Sequence, residues 1–524
     1  MTARQHSLPE RPNLEQLKRQ AKDLLRAARA HDRAALARFR VLPNFTALSD
    51  DRLAATPLAL HDAQSVVARE LGFDSWNALR ESVEEATLTF GAAVTEFVDA
   101  ATSGRPDRAA RLLELHPGMA SADFHAALLL GDSARVEEWL RRDPSRAIKP
   151  GGVRGWQPLH YLCHSVVGAR TPEGEAGLAT IARRLIALGA DPNLRFPWLH
   201  HDVARPVLWG AVCHVRSLAL ARALLEGGAD PNDGVTLTIA ASGGDIPALD
   251  LLYEFGANAN GVWLTDGSTA LYAILHWSQT PAGAFWFLEH GADANAVFAP
   301  NGETPLHAAA AGWGTDLVSA LLAHGADVSI RRADGRTAYA LAIANGNDAV
   351  AELLLAHGSP ADVPEVDRLV GACSRGDVAA ARAMLASTPA LRDEIAIEHY
   401  DALYRAAEQN DVAALEAMLA CGFDPDRGDA AMGMNALHKA AMAGWPDAVR
   451  VLLAHGASVT ARDREFHATA LVAAAEGSTH AAPGRDHAAV GRLLIAAGSP
   501  TDWEAGAQPA GHVLDVLERW LRAP

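Results

Sequence analysis

The sequence is poor in the residues and patterns that carry chemistry. It has four cysteines, Cys163, Cys213, Cys373 and Cys421, scattered without disulfide or metal-ligand spacing. They read as reduced thiols buried as small hydrophobes, which fits a cytoplasmic protein. No run approaches the roughly 18 to 20 apolar residues that a membrane-spanning helix requires. The opening stretch, MTARQHSLPERPNLEQLKRQ, lacks the apolar segment of a secretory signal. A Walker A loop, a Rossmann glycine fingerprint, a G-x-S-x-G elbow and an H-E-x-x-H helix are all missing. The expectation is a non-catalytic cytoplasmic protein with no cofactor, no metal and no membrane contact.

At 524 residues the chain exceeds what one compact core supports, so it divides into domains or runs as a repeat array. With 49% hydrophobic and 21% charged residues, it has the composition of a folded protein and not of a disordered one. The net charge of −17 is unevenly placed. Residues 1–40 hold ten Arg or Lys against four acids, so the acidic excess lies wholly in the remainder. An acidic body repels nucleic acid and anionic membranes, leaving only the basic head to attract them.

What the chain does have is repetition. Two apolar residues, two spacers and Gly-Ala-Asp, or a close variant, recur as LIALGADPN at Gly189, LLEGGADPN at Gly228, LLYEFGANAN at Gly256 and FLEHGADAN at Gly291. The series continues as LLAHGADVS at Gly325, LLAHGSP at Gly358, MLACGFDPD at Gly422, LLAHGAS at Gly456 and LIAAGSP at Gly498. The glycines are spaced by 39, 28, 35, 34, 33, 64, 34 and 42 residues. The longest gap hides a unit ending in MLASTP, and two divergent units ending in LLELHP and WLRRDP precede the series. About twelve units result, with a period of roughly 33. A second phrase keeps the same phase: NGETPLHAAAAGW (Asn301–Trp313), DGRTAYALAIANGN (Asp334–Asn347) and GMNALHKAAMAGW (Gly433–Trp445).

Together the two phrases resemble the ankyrin-repeat consensus D-G-x-T-P-L-H-x-A-A…L-L-x-x-G-A-D-x-N. The resemblance implies an all-α solenoid of helix-turn-helix units with short β-hairpin fingers, recognising partners through finger tips and inner helices. The residues suit that role. Thr304 is placed to cap the first helix with its hydroxyl, and Pro305 sits at the first helical position, where its missing N–H costs nothing. Ala308–Ala311 keep that helix thin, and Leu317, Leu321 and Leu322 give the second an apolar face. Gly325 then closes it in the left-handed conformation. Some units depart from the pattern. Extra chain falls between helices around Ser165–Thr180, and another insertion lies at Glu476–His487. The 28-residue step to Gly256 is too short to hold a finger.

Residues 1–90 follow a different pattern. Asn13 and Gln16 open a helix whose apolar face is Leu14, Leu17, Ala21, Leu24, Leu25 and Ala28. Lys18, Lys22, Arg26 and Arg29 form a basic stripe beside it. A helix pair follows over Ala63–Phe73 and Asp74–Glu85, broken at Gly72. The segment resembles one that precedes ankyrin arrays in many bacterial proteins, in NLEQLKRQAKDLL and ALHDAQSVVARELGFDSW. Three roles fit it: a cap on the array, a basic contact for an anionic partner, or a dock for the acidic repeats. The expected domains are the helical module at 1–90, the repeats at 91–502 and a capping helix at 503–524.

His160, His307 and His438 occupy the L-H position, where the resemblance implies a hydrogen bond inside the hairpin loop. His160, Cys163 and His164 share a helix face, but no fourth ligand accompanies them to make a metal site. Trp277, Trp313 and Trp445 read as covers over the turn between helices. Counting six residues back from the Thr of each unit reaches Trp263 and Phe298. The unit before them carries Phe196 and Trp198 in its finger, and Arg331 holds the position in the unit after. Phe196, Trp198, Trp263, Phe298 and Arg331 are therefore the candidate partner contacts, unless each aromatic packs beneath its own finger. The expected partners are one or more proteins or peptides, bound by a monomeric scaffold or adaptor. Tethering to nucleic acid or an anionic surface through the basic first helix is the alternative.

Overall fold

Helices begin and end where the repeated phrases place them. The computed structural model describes residues 12–46, 48–196, 204–263, 266–278, 280–429, 432–464, 466–478 and 483–501, with Val513, Val516, Leu517 and Trp520. In the unit after Asn301, Pro305–Gly312 forms the first helix and buries Leu306, Ala309 and Ala310. Thr315–Ala323 forms the second and buries Leu317, Val318 and Leu321. The Thr304 hydroxyl bonds the Nδ1 of His307 at 2.8 Å, and that nitrogen also accepts the Thr304 N–H at 3.2 Å. The imidazole, three residues along, supplies the reciprocal half of a capping box by accepting the N–H of Thr304 itself. In the next unit that place is Ala340, and Thr337 Oγ1 accepts its N–H directly at 3.3 Å.

The nine glycines of the repeated phrase all lie at φ between +81° and +105°, where a β-carbon is strained. The asparagine that ends the phrase has a separate task. Asn260 Nδ2 donates to the Gly291 carbonyl at 3.0 Å while its Oδ1 accepts the Asp293 N–H at 2.7 Å. Asn295 repeats both bonds one unit on, to Gly325 and Asp327. Each unit is thus tied to the loop of its successor, as a one-dimensional stack requires.

The chain forms two compact units: Met1–Ile239 with Pro247–Ala257, and Ala240–Ile246 with Asn258–Pro524. The first contains the N-terminal helices, among them Leu14–Arg29, Leu60–Glu70 and Trp76–Thr87. Asn13 accepts the Gln16 N–H at 3.1 Å, and Gly72 lies at φ +89° at the expected break. These helices close around Phe39, Val66 and Leu79, all fully buried. Glu85, also fully buried, binds Arg111 through two bonds of 3.0 and 2.9 Å, joining this core to the helix Pro106–Leu115.

The extra chain at Ser165–Thr180 proves to be mostly helix. Thr171 and Pro172 start a 16-residue helix, Pro172–Ala187, so the insertion lengthens an element where a loop was expected. Its Gly174 and Gly177 let it run against neighbouring main chain, which a polar, glycine-rich sequence disguised. The missing finger before Gly256 is observed: Asp233 accepts the N–H groups of Val235 and Thr236 and starts the helix Thr236–Ser242 directly.

The second unit holds seven helix pairs among its described residues, from Ala270–Trp277 and Ala282–Glu289 to Ala470–Ser478 and His487–Ala496. The unit hidden in the longest gap is the pair Glu365–Ser374 and Val378–Ser387. Residues 479–482, in the second insertion, lie outside the described residues, as does most of the expected helix at 503–524; Val513 and Leu517, from that helix, are helical and buried.

Candidate functional site

The fingers are held by single bridges, Val262 to Thr269, Phe298 to Glu303 and Arg331 to Thr337. Successive side chains of an extended segment point to opposite faces. Here the alternation turns Trp263 inward, 8% exposed, and leaves Val262 outward at 55%. One finger on, Val297 is 58% exposed, while Phe298 is half-buried and stacks on Tyr272 with centroids 4.8 Å apart. Phe196 pairs with Arg205 in a two-residue strand and is 1% exposed, with its ring 4.6 Å from that of His164. The aromatics do not make one exposed strip, because a pairing strand turns every second residue towards the core. Trp198 lies outside the described residues. Arg331 is exposed and grips Asp362 through bonds of 2.9 and 3.0 Å. The residues that sequence reasoning passed over are Val262 and Val297, one position earlier in the same phase.

Behind these fingers lies a network of buried charge. Glu303 accepts from Arg332 Nη1 at 2.6 Å and from the Tyr272 hydroxyl at 2.5 Å. Burial alone would raise its pKa, but hydrogen bonds from His276 and Tyr272, with the charge of Arg332, hold it at about 2. Asp367, fully buried, receives both arms of Arg336 at 2.7 and 2.8 Å and lies 3.0 Å from His399 Nε2. Burial opposes its charge as well, and the bonds from His399 and Arg336 still hold its pKa below the usual carboxylate range.

In the first unit His160, His164 and His214 gather around Phe196 and Trp209. Burial depresses all three pKa values, that of His164 to about 4. The unfolded chain, whose histidines titrate at about 6.5, therefore binds protons first. Stability is complete above that pH and is lost as the pH falls through it towards about 4. At pH 5 the loss from His164 is about 2 kcal/mol. A urea titration at pH 7.5 and pH 5 measures it, and His164→Phe is expected to flatten the dependence.

The basic stripe is partly engaged. Lys18 pairs with Glu15 at 2.7 Å, Arg26 pairs with Asp23 at 2.9 Å, and Arg29 donates to the Leu58 carbonyl at 2.8 Å; Lys22 is exposed. Trp313 and Trp445 each donate their indole N–H at 2.8 Å, to the carbonyls of Leu275 and Glu408. Each indole is thereby tied to the first helix of the preceding unit, while the side chain of Trp277 lies outside the described residues.

A chain of stacked helix pairs tied by finger bridges and asparagine links is a tandem-repeat protein. A family model described as ankyrin repeats (three copies) matches residues 279–367 and 403–498, and the protein is an ankyrin-repeat domain-containing protein of all-α solenoid class. No curated protein matches the chain. Repeats of this family confer a capacity for protein–protein interaction. Among the described residues no helix is long and apolar enough to cross a membrane, and no cluster of three or more His, Cys, Asp or Glu could hold a metal ion.

Proposed function

We propose that the protein is a binding scaffold or adaptor that holds one or more protein partners and carries out no catalytic step itself. The observation that carries this reading is the pair Val262 and Val297, 55% and 58% exposed at the same position of consecutive fingers. Branched apolar side chains on a bridged backbone lose little entropy on contact, and such exposed apolar positions favour a partner over water. Half-buried Phe298 and exposed Arg331 extend the surface along the same edge. A cytoplasmic setting is supported by four cysteines that are all free. The N-terminal helices act as the terminal cap, a role supported by the Glu85–Arg111 pair that joins their core to the first repeat helices.

The test is quantitative capture from host lysate on the full-length protein and on the Val262→Ser/Val297→Ser variant. At least one protein is expected to be enriched on the wild type and recovered at least about tenfold less on a variant with unchanged circular dichroism, matching a loss of ~1.4 kcal/mol. Equal recovery of every captured protein on both would contradict the finger edge as the recognition surface.

A further inference from the structure

The helix Tyr400–Gln409 borders a polar cleft in the second unit. Arg405 reaches from it to the end of the helix Pro305–Gly312, where its Nη1 bonds the Ala311 carbonyl and, at 2.6 Å, the Asn345 side-chain oxygen. The guanidinium stands between two adjoining cavities of about 350 and about 380 Å³ and lines both. Gly312 lines both cavities, and a β-carbon there would lie 3.3 Å from Arg405 Nε, a tight contact that a small shift of the guanidinium would relieve. Among the described residues the Nε and Nη2 groups of Arg405 meet no protein acceptor.

The charges in the first cavity do not balance. Glu303, Glu398, Asp401 and Glu408 line it against the guanidiniums of Arg332 and Arg405, so carboxylates outnumber guanidiniums by four to two. Glu303 is spent on Arg332 at 2.6 Å, whereas Glu398 and Glu408 reach Arg336 and Lys439 only at 3.5 Å. Asp401 forms no ion pair among the described residues; burial raises its pKa, and the charges of Arg405, His276 and Arg332 offset that only in part, so a bound cation would supply the counter-charge it lacks. Trp313, fixed by its bond to the Leu275 carbonyl, lines the same space. Wet, net-negative surroundings with an aromatic wall recognise a cation.

We propose that this cleft binds the side chain of an arginine or lysine in a protein partner, with Asp401 meeting the cation and the spare N–H groups of Arg405 donating to a main-chain carbonyl of the same residue. The proposal rests on the reading of the chain as a protein-binding scaffold and names the chemistry of what it holds. The probe is N-acetyl-arginine amide, which has a cation and two amide carbonyls but no carboxylate. It is titrated into the full-length ¹⁵N-labelled protein, and the indole N–H signal of Trp313, identified with Trp313→Phe, is followed. The expected result is a saturable shift with a Kd of about 1 mM. Asp401→Asn, which keeps the size of the side chain and removes only its charge, weakens it at least about tenfold (~1.4 kcal/mol) without unfolding the chain. N-acetyl-glutamate amide produces no saturable shift. A linear response to the arginine probe, unchanged binding in Asp401→Asn, or preferential binding of the glutamate probe would each overturn the proposal. The capture experiment on the finger edge does not depend on this titration, so either reading can fail alone.

Discussion

Replacing Asp367 with Ala is expected to cost about 3 to 5 kcal/mol of unfolding free energy. Asp367 is fully buried, and the side chain of Arg336, which holds it with two bonds of 2.7 and 2.8 Å, is only 10% exposed. Two opposing effects set the size. Moving both charges out of water was itself unfavourable, so the pair adds little to net stability while it is intact. Removing Asp367 recovers only the carboxylate's share of that cost and leaves the guanidinium's, with Asp334 at 2.8 Å and Glu398 at 3.5 Å as its remaining counter-charges. Those two soften the loss, which places the expectation in the lower half of the range. Urea unfolding of Asp367→Ala and of Arg336→Met/Asp367→Leu separates the effects. The double variant is expected to lie within about 2 kcal/mol of wild type, because no charge is left unpaired. A double variant as unstable as the single one would mean that the ion pair itself, and not the stranded charge, holds these helices.

Gly177→Ala is expected to destabilise the first unit by roughly 3 kcal/mol or more. A β-carbon there would lie 1.8 Å from the Gly131 carbonyl oxygen and 2.8 Å from its carbon, both main-chain atoms that no rotamer change can move aside. Gly131 is itself at φ +68° and closes the helix Phe124–Leu130, so the obstacle is pinned from its own side. The helix Pro172–Ala187 must tilt away and give up part of the burial of Leu178, Ile181 and Leu185. The same substitution at Gly91 serves as the control. Its β-carbon meets nothing within 4 Å, and it sits within the helix Phe90–Thr102. Gly91→Ala is expected to stabilise by about 0.5 to 1 kcal/mol, through helix propensity. Opposite signs for one chemical change would show that close main-chain approach, and not loss of glycine as such, governs Gly177.

Much of the fold was legible because the repeat writes one conformation into one residue many times. Gly325 and its eight counterparts could be read as helix ends, and the short step to Gly256 as a missing finger, from spacing alone. The links made by Asn260 and Asn295 stood in the same phrase, but their partners lie about one repeat away, so the letter was visible and its bond was not. Of the two arrangements left open for the finger aromatics, packing beneath the finger holds for Phe196 and Trp263, and the outward position falls one residue earlier, at Val262 and Val297. A bridge of one or two residue pairs is too short to show its own alternation, and large aromatics such as Trp263 gain more from burial than from projecting into water. The helix at Pro172–Ala187 was hidden for the reverse reason. Gly174 and Gly177 are poor helix formers that serve close packing, and their composition reads as loop. Arg405 left no local signal at all. Its contact with Ala311 spans 94 residues and depends on where the helix Tyr400–Gln409 comes to rest.

The central claim is that recognition belongs to the exposed finger edges and the cleft beside the inner helices, on a stack whose outer helices serve stability. Hydrogen exchange followed by mass spectrometry, on the full-length protein alone and with a captured partner bound, tests it most directly. Slowed exchange is predicted in the segments around Val262–Thr269, Val297–Glu303 and Arg331–Thr337 and in the helix Tyr400–Gln409. Slowing confined to the outer helices Thr315–Ala323 and Asp348–Ala356, or to the N-terminal helices, would contradict the account.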